Sequence, residues 1–345
     1  MNVLRGPMAT KIKRLALSMG LAALAVGGVR TIYPSDSQDI TLRQLALNPD
    51  NPAQRQVGAL EFIEAWEMRS RNDDFGGISA LTALNDGQFV GIGDAGTVIG
   101  FGLTKDGQIE RSFIAPLPNL RGPNLNYEDR DSEGIAFDPE SGQYWVIFEQ
   151  KHAIRRYSKS FARQTGMMRP REMQDWPHNK GAEAIIRLKD GRFIAIAETV
   201  DDGTHPAILF SGDPVERGST ITPFRLRPPT GYRVTDGMQL TDGRIIMLNR
   251  SIGFPKGFTA KVSMLGSVSI SRDAIITTDV IASLAPPLLV DNMEGIAVTS
   301  EADDTILWLI SDNNFSIFQR TILMKFRLSP QSGSKKPAAS TAPGL

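Results

Sequence analysis

Short apolar runs separated by turns fill this chain from about residue 57 to residue 328. Five of the runs are apolar almost without interruption, which is typical of strands whose two faces are both buried. These runs are Gln88–Gly93, Tyr144–Phe148, Phe193–Ala197, Ile245–Leu248 and Ile306–Ile310. Turns that pair Gly with Asp or Ser precede the first four, and such pairs favour tight hairpins because they tolerate positive φ. The pattern predicts an all-β fold built from hairpins.

A motif recurs before these runs: an acidic residue, a small residue and then a few apolar positions. Its copies are Gly76–Leu81, Asp131–Phe137, Ala182–Ile186, Thr235–Leu240 and Asn292–Val298. The first copy lacks the acid. The leading positions lie 57, 50, 53 and 58 residues apart, counted at Gly76, Glu133, Glu183, Asp236 and Glu294. A four-stranded propeller blade takes about 40–50 residues, so the spacing predicts a β-propeller of five blades, with six as the alternative.

The last blade lacks one strand at its C-terminal side, because the chain after Glu294 provides strands only as far as Thr321–Leu328. The alternating segment Gln56–Glu67 can supply the missing strand. We therefore expect an N-terminal strand to close the ring. A two-sheet sandwich is the competing fold, but equivalent motifs at near-equal spacing favour radial repetition.

The two ends of the chain depart from this pattern. Lys11, Lys13 and Arg14 precede an apolar stretch, so residues 1–29 are typical of a secretory signal peptide, or of an anchor if it is not cleaved. We assign residues 30–55 to an N-terminal linker, 56–328 to the propeller domain and 329–345 to a disordered tail rich in Ser, Pro, Gly and Ala. The signal predicts a periplasmic or secreted bacterial protein.

Composition narrows the range of functions. The 345 residues include 38 basic and 38 acidic side chains, so the overall charge does not favour a nucleic acid as partner. The chain has no cysteine, which excludes disulfides and thiolate metal sites, and it has only three histidines. We expect a monomer that acts on a small molecule and is attached to a membrane only if the signal is not cleaved.

Acids stand at equivalent points of the predicted blades, where the inner strands begin beside the central channel and where the second strands end. The motif acids are Glu133, Glu183, Asp236 and Glu294, and the strand-end residues are Asp94, Glu149, Glu198, Asn249 and Asp312. Crowded carboxylates need compensating charge, and calcium takes about six to eight oxygen ligands. We predict a calcium site formed by Asp94, Glu133, Glu198, Asp236, Glu294 and Asp312. Alternatively, the acids cap backbone amides or pair with basic residues and hold the blades together.

Side chains beside this ring are candidate catalytic residues. Glu149 or Glu183 would activate a water molecule. Lys151, Arg155 or Arg250 would neutralise the charge that develops in the reaction. No Gly-x-Ser-x-Gly motif follows the signal, which argues against a serine hydrolase. The pattern favours metal-assisted hydrolysis.

Several segments resemble the phytase-like family, whose members are described as having esterase-like activity and occur among exported bacterial proteins. They are Asp131–Ala136, Asn292–Val298 and Leu309–Asn314, together with Gly77–Leu81 and Gly91–Gly96. The resemblance spans nearly the whole chain after the signal. It implies a propeller hydrolase of esters or phosphoesters, with calcium as in β-propeller phytases and site acids at Asp94, Glu133, Glu294 and Asp312. The glycine of the first copy and Asn249 depart from the pattern, and leave a gap in the ring or mark decay of the site.

A second hypothesis belongs to another functional class: a non-catalytic periplasmic propeller that binds a small ligand or a protein partner. One fold hosts many functions, so the fold does not choose between the two. Hydrolysis of an ester by the purified protein distinguishes them.

Overall fold

Five small sheets arranged in a ring form a five-bladed β-propeller in the computed structural model, which describes residues 37–85, 87–120, 126–266 and 269–329. The predicted signal peptide and, apart from Ser329, the predicted tail lie outside these residues. The helical elements of the described residues are three short 3-10 helices, Tyr127–Asp129, Lys159–Phe161 and Arg171–Met173. No helix in this part of the chain is long and apolar enough to cross a membrane.

The strands follow the repeat that the sequence predicts. Three strands precede the first blade: β1 (Ile40–Gln44), β2 (Gln56–Val57) and β3 (Leu60–Ser70). Blade 1 contains β4 (Ile78–Asn85), β5 (Gln88–Gly93), β6 (Thr97–Leu103) and β7 (Ile109–Pro116). Blade 2 contains β8 (Ser132–Asp138), β9 (Gln143–Phe148), β10 (Ala153–Tyr157) and β11 (Gln164–Met168). Blade 3 contains β12 (Ala182–Arg187), β13 (Phe193–Ala197), β14 (His205–Phe210) and β15 (Ile221–Arg227).

The remaining strands complete the ring. Blade 4 contains β16 (Arg233–Gln239), β17 (Ile245–Gly253), β18 (Gly257–Leu265) and, after β19 (Ile275–Thr277), β20 (Asp279–Leu284). Blade 5 contains β21 (Met293–Glu301), β22 (Asp304–Ser311) and β23 (Thr321–Leu328). Strand β19 leaves its own blade and pairs in parallel with β15, which gives blade 3 a fifth strand.

An N-terminal strand closes the ring, as the sequence predicts. Strand β3 pairs antiparallel with β23, so that Trp66 lies opposite Leu323, and β1 extends the same sheet beyond β3. Strand β1 comes from the segment that the sequence assigns to a linker, so the propeller takes up part of residues 30–55. This sheet joins the first and last parts of the described chain.

Apolar side chains fill the spaces between neighbouring blades. The second strands are buried almost throughout, as in β9 and β13. Five apolar clusters each combine residues of two adjacent blades; one joins Leu248 of blade 4 to Ile296 and Leu309 of blade 5. Full burial of each such side chain contributes about 1.5–3 kcal/mol. The continuous apolar runs of the sequence are therefore strands packed on both faces.

Candidate functional site

One residue bulges out near the start of the innermost strand of every blade, which is β4, β8, β12, β16 or β21. The strand pairing skips Ser79, Glu133, Glu183, Thr235 and Glu294 at equivalent positions of the five blades. A β-bulge re-aims a side chain relative to the regular alternation of a strand. The five bulges therefore set out a first ring of side chains around the channel, and three of its members are glutamates.

A second ring lies beside the first, one residue past the point where each second strand meets its bulge. Its members are Asp94, Glu149, Glu198, Arg250 and Asp312. The backbone N–H of Glu149 donates to the Asp131 carbonyl at 3.0 Å, and equivalent bonds of 2.7–2.9 Å hold the other three acids of this ring. The same backbone contact thus positions a carboxylate in four of the five blades.

Blade 4 differs from the sequence expectation by one residue. The sequence predicts Asp236 and Asn249 as ring members, but the pairing places Thr235 and Arg250 there. Successive residues of a strand point to opposite faces, so a shift of one residue turns a side chain away from the site. The Asp236 carboxylate is 1% exposed and accepts the backbone N–H groups of Gly237 at 2.8 Å and Ile296 at 2.9 Å. Asp236 thus holds inner strands together, the role left open for such acids.

The two rings form a cavity of about 250 Å³ at one end of the channel. Nine of their ten members line it, all except Thr235, whose hydroxyl donates to the Met293 carbonyl. Tyr127, Asn179 and Asn314 complete the lining from loops. The structure therefore brings together seven predicted site acids: Asp94, Glu133, Glu149, Glu183, Glu198, Glu294 and Asp312.

Arg250 is the predicted basic residue that lines this cavity. Its Nη1 lies 2.8 Å from the Asn292 Oδ1 and 3.2 Å from the Glu294 Oε1. The other two predicted basic residues lie elsewhere. The Lys151 ammonium pairs with the carboxylates of Glu128 and Asp129 at 3.1 and 3.4 Å.

Arg155 is buried in blade 2, and its guanidinium lies 4.5 Å from the centre of the Phe148 ring. Strand β10 is the third strand of its blade, so its side chains pack between blades rather than at the channel. The structure does not bring Arg155 into the cavity.

Asp131 is a member of the site that the sequence did not single out. Carboxylate oxygens of Asp131, Glu133 and Glu149 all lie within 4.8 Å of one another. Asp131 is buried, and its Oδ2 accepts a bond of 2.8 Å from the Gln150 Nε2. Its signal was present in the sequence as the acid that opens the Asp-Ser-Glu motif of blade 2.

Tyr127 is a second residue that sequence reasoning missed. Its hydroxyl is placed to donate to the carboxylate of Asp94 or Asp131, and burial and these acids raise its pKa, so it stays protonated. A 3-10 helix with a capping box between Asn126 and Asp129 holds it at the cavity. No sequence repeat marks this position, because the residue comes from an inter-blade loop.

Residues 73–315 match the phytase-like family, described as esterase-like activity of phytase. The chain belongs to the phytase-like family. Membership indicates a propeller of the hydrolase type, and the match covers all five inner strands. No curated protein matches the chain in sequence.

Solved structures share the general architecture of this phytase-like propeller at low identity. U3-55K is 8% identical, with a TM-score of 0.40 over 76% of this chain and 98% of that one. Hydrazine synthase of Kuenenia stuttgartiensis is 12% identical, with a TM-score of 0.38 over 70% and 78% of the two chains. The WD40 β-propeller domain of Doa1 is 12% identical, with a TM-score of 0.35 over 75% and 95%. None of these similarities bears on function.

Burial and mutual repulsion raise the pKa values of several carboxyl groups in this cavity. Burial, and then the charge of Asp312, raises the pKa of Asp94 to about 8. Burial and a hydrogen bond with Asp131 raise the pKa of Glu149 to about 9. The pKa of Glu133 is raised well above its ordinary value by burial and by its neighbour Glu183.

Carboxyl groups on the side of the cavity near Arg250 also have raised pKa values, although the charge of Arg250 opposes part of the rise. Burial raises the pKa of Glu294 to about 8 although Arg250 opposes the shift, and that of Asp312 to about 6. Burial, and then Glu198 and Glu294, raises the pKa of Glu183 well above its ordinary value. Without a compensating cation, several of these acids are therefore protonated at neutral pH.

Calcium is the metal that the phytase-like resemblance implies, and the donor set fits it. Asp131, Glu133 and Glu149 offer three converging carboxylates, and hard cations prefer oxygen ligands. The Oδ1 of Asp94 is buried with no hydrogen-bond partner beside this group. A divalent cation would supply the positive charge that these acids otherwise obtain from protons.

Proposed function

We propose that this protein is an exported bacterial hydrolase of esters or phosphoesters that works as a monomer, with calcium bound in the acidic cavity. The convergence of Asp131, Glu133 and Glu149 at the channel end carries the proposal. Membership of a family described by esterase-like activity supports the reaction class. The signal-like pattern of residues 1–29 supports export.

The proposed calcium site lies in blade 2, where Asp131, Glu133 and Glu149 would hold the ion and Asp94 would support it from blade 1. A bound calcium ion would supply the charge that polarises an ester or phosphoryl oxygen. The Tyr127 hydroxyl is placed to donate to the carboxylate of Asp94 or of Asp131 and would fix the orientation of the one it bonds.

Glu183 is the proposed general base. It bulges from the inner strand next to that of Glu133 and lines the same cavity. A carboxylate whose pKa is raised is a stronger base than an ordinary one, so Glu183 would accept a proton from water once a bound cation keeps it ionised.

Arg250 would neutralise the negative charge that develops on the substrate. Asn292 and Glu294 fix its guanidinium, so its charge is in place before the reaction begins. A fixed charge of this kind stabilises a transition state without reorganisation at the moment of reaction. Lys151 and Arg155 take no part in this proposal because they lie outside the cavity lining.

Hydrolysis of one phosphomonoester and one carboxylic ester, with calcium and then with excess EDTA, tests the proposal. We expect calcium-dependent turnover that Glu183→Gln lowers by about 100- to 10,000-fold. Glu110→Gln, on an exposed position of β7, is the matched control and should keep full activity. Calcium binding without turnover on either ester would overturn the hydrolase and leave a non-catalytic binding propeller.

A further inference from the structure

A second cavity of about 270 Å³ adjoins the acidic one and shares Glu198 and Arg250 with it. Its other lining residues come from blade 4 and the loop before it: Gly231, Arg233, Ser251 and Ile252. Ligand pockets for drug-sized molecules begin at roughly 300 Å³, so this cavity suits a small organic molecule or one part of a larger one. It therefore lies beside the proposed reaction site.

Two guanidinium groups face this cavity. Arg233 donates from Nη1 to the Glu198 Oε1 at 2.8 Å, and Arg250 uses Nη1 for Asn292 and Glu294. These contacts occupy one terminal nitrogen of each side chain. Arg carries five N–H donors in a planar fork, so each guanidinium retains donors that suit a carboxylate or phosphate.

Another part of the lining is apolar. Ile252 lines the cavity and is 63% exposed, and Phe254 at the tip of the same β17–β18 hairpin is 96% exposed. The hairpin stays paired as far as Gly253 and Gly257, so the strands themselves hold the tip in place. An apolar part of a ligand that covers Ile252 removes this surface from water, which is worth about 25 cal/mol per Å².

We infer that the second cavity binds the non-reacting part of the substrate, and that this part is an organic anion with a short apolar body. The anionic group lies on Arg233 and Arg250, and the apolar body lies on Ile252. The assignment of this ligand as a substrate rests on the proposed function, whereas the binding itself does not. The exceptional composition of blade 4, an arginine where other blades carry an acid, is then a means of substrate selection.

Binding of phenylacetate to the purified protein in EDTA tests the inference without turnover or calcium. Neutral phenylethanol and acetate are the comparison ligands, and NMR titration measures each affinity. We expect phenylacetate to bind more tightly than either. Arg233→Gln should weaken its binding at least about tenfold, as loss of a charged hydrogen bond does. Arg233→Lys should keep part of the affinity.

Matched substitutions control for non-specific effects. Arg192→Gln removes an arginine that pairs with Asp190 at the opposite end of blade 3, and should leave the affinity unchanged. Ile252→Ser should weaken phenylacetate but not acetate, whereas Ile275→Ser at another exposed isoleucine should weaken neither. If Arg233→Gln unfolds, Ile252→Ser and Arg233→Lys still decide the question.

The outcomes separate the inference from the proposed function. Equal binding of phenylacetate and phenylethanol, or no loss in Arg233→Gln, overturns the inference. Recovery of binding in the double variant Glu198→Gln/Arg233→Gln also overturns it, because the single variant would then act only by freeing Glu198. Anion binding in a protein without ester turnover keeps the inference for the cavity and removes the proposed hydrolase.

Discussion

Blades 2 and 4 use the same backbone geometry for opposite electrostatic purposes. Both have a bulge near the start of the inner strand and a ring residue one position past the point where the second strand meets that bulge. Blade 2 fills these positions with Glu133 and Glu149 and adds Asp131 two residues before the bulge. Blade 4 fills them with Thr235 and Arg250 and has Arg233 two residues before its bulge. The positions that we propose to bind a cation in blade 2 therefore carry, in blade 4, a side chain that suits an anion.

This difference shows how a repeat protein builds an asymmetric site from a symmetric frame. The bulge and its backbone hydrogen bond set the direction of the side chains, so substitution at the ring positions changes chemistry with little effect on the fold. A ring of ten acids would hold many protons or cations and no anionic substrate. One arginine among the acids makes one side of the cavity able to contact a negatively charged group.

Arg250→Gln removes the cationic ring residue of blade 4 and is expected to have the largest effect among the substitutions in blades 2 and 4. Hydrolysis should fall by about 100- to 1,000-fold, as when one group that stabilises developing charge is lost. The pKa of Glu294 and Glu183 should rise further, because Arg250 lowers both, so the acidic limb of the pH–rate profile moves to higher pH. Arg192→Gln is the control; equal activity of the two variants would contradict the assignment.

Glu133→Gln removes one acid of blade 2 without changing its shape. We expect calcium affinity, measured by calorimetry, to fall by about 10- to 100-fold, with hydrolysis falling in parallel. Thermal stability in EDTA should not fall, because a buried acid with a raised pKa is replaced by a neutral amide. Unchanged calcium affinity would place the ion elsewhere in the ring.

The stability of the EDTA-treated protein should fall as pH rises. Asp94, Glu149 and Glu294 have ordinary pKa values of 3.8, 4.5 and 4.5, and folding raises them to about 8, 9 and 8. Between about pH 4 and pH 9 the folded state therefore binds more protons than the unfolded state, and stability is lost as they dissociate. Melting temperatures should drop over this range, and added calcium should restore them more at pH 8.5 than at pH 5. A rising melting temperature in EDTA would contradict the raised values.

Asp236→Asn is expected to have the smallest effect on the site. It distinguishes the acids that line the cavity from Asp236, which has a structural role beside them. The Asp236 carboxylate accepts two backbone N–H groups, and the amide can replace only part of this. Stability in denaturant should fall by about 1–3 kcal/mol. Calcium affinity should stay within about twofold of the parent, since Asp236 does not line the cavity. A large loss of calcium affinity would return Asp236 to the metal site.

The sequence alone predicts much of this protein, because its repeated motif and doubly buried strands report on local geometry that every blade shares. The number of blades follows from the spacing, and closure by the N-terminal strand follows from the missing strand of blade 5. All seven acids that the rings bring to the cavity were marked by their place in the repeat, and Glu149 and Glu183 were also marked as candidate bases. The motif of blade 2 also contains Asp131, two residues before Glu133, although this acid was not singled out.

Only the tertiary structure decided the register of blade 4 and the contributions of the loops. The Asp-Gly pair of Asp236 imitates the Glu-Gly pair of other blades, but the bulge falls one residue earlier, at Thr235. A shift of one residue reverses the face of a strand side chain, and no pattern of composition reveals it. The position of Tyr127 depends on the three-dimensional course of an inter-blade loop, and the second cavity depends on that of the β17–β18 hairpin. Their contacts join residues far apart in the chain, and such contacts exist only once the ring has closed.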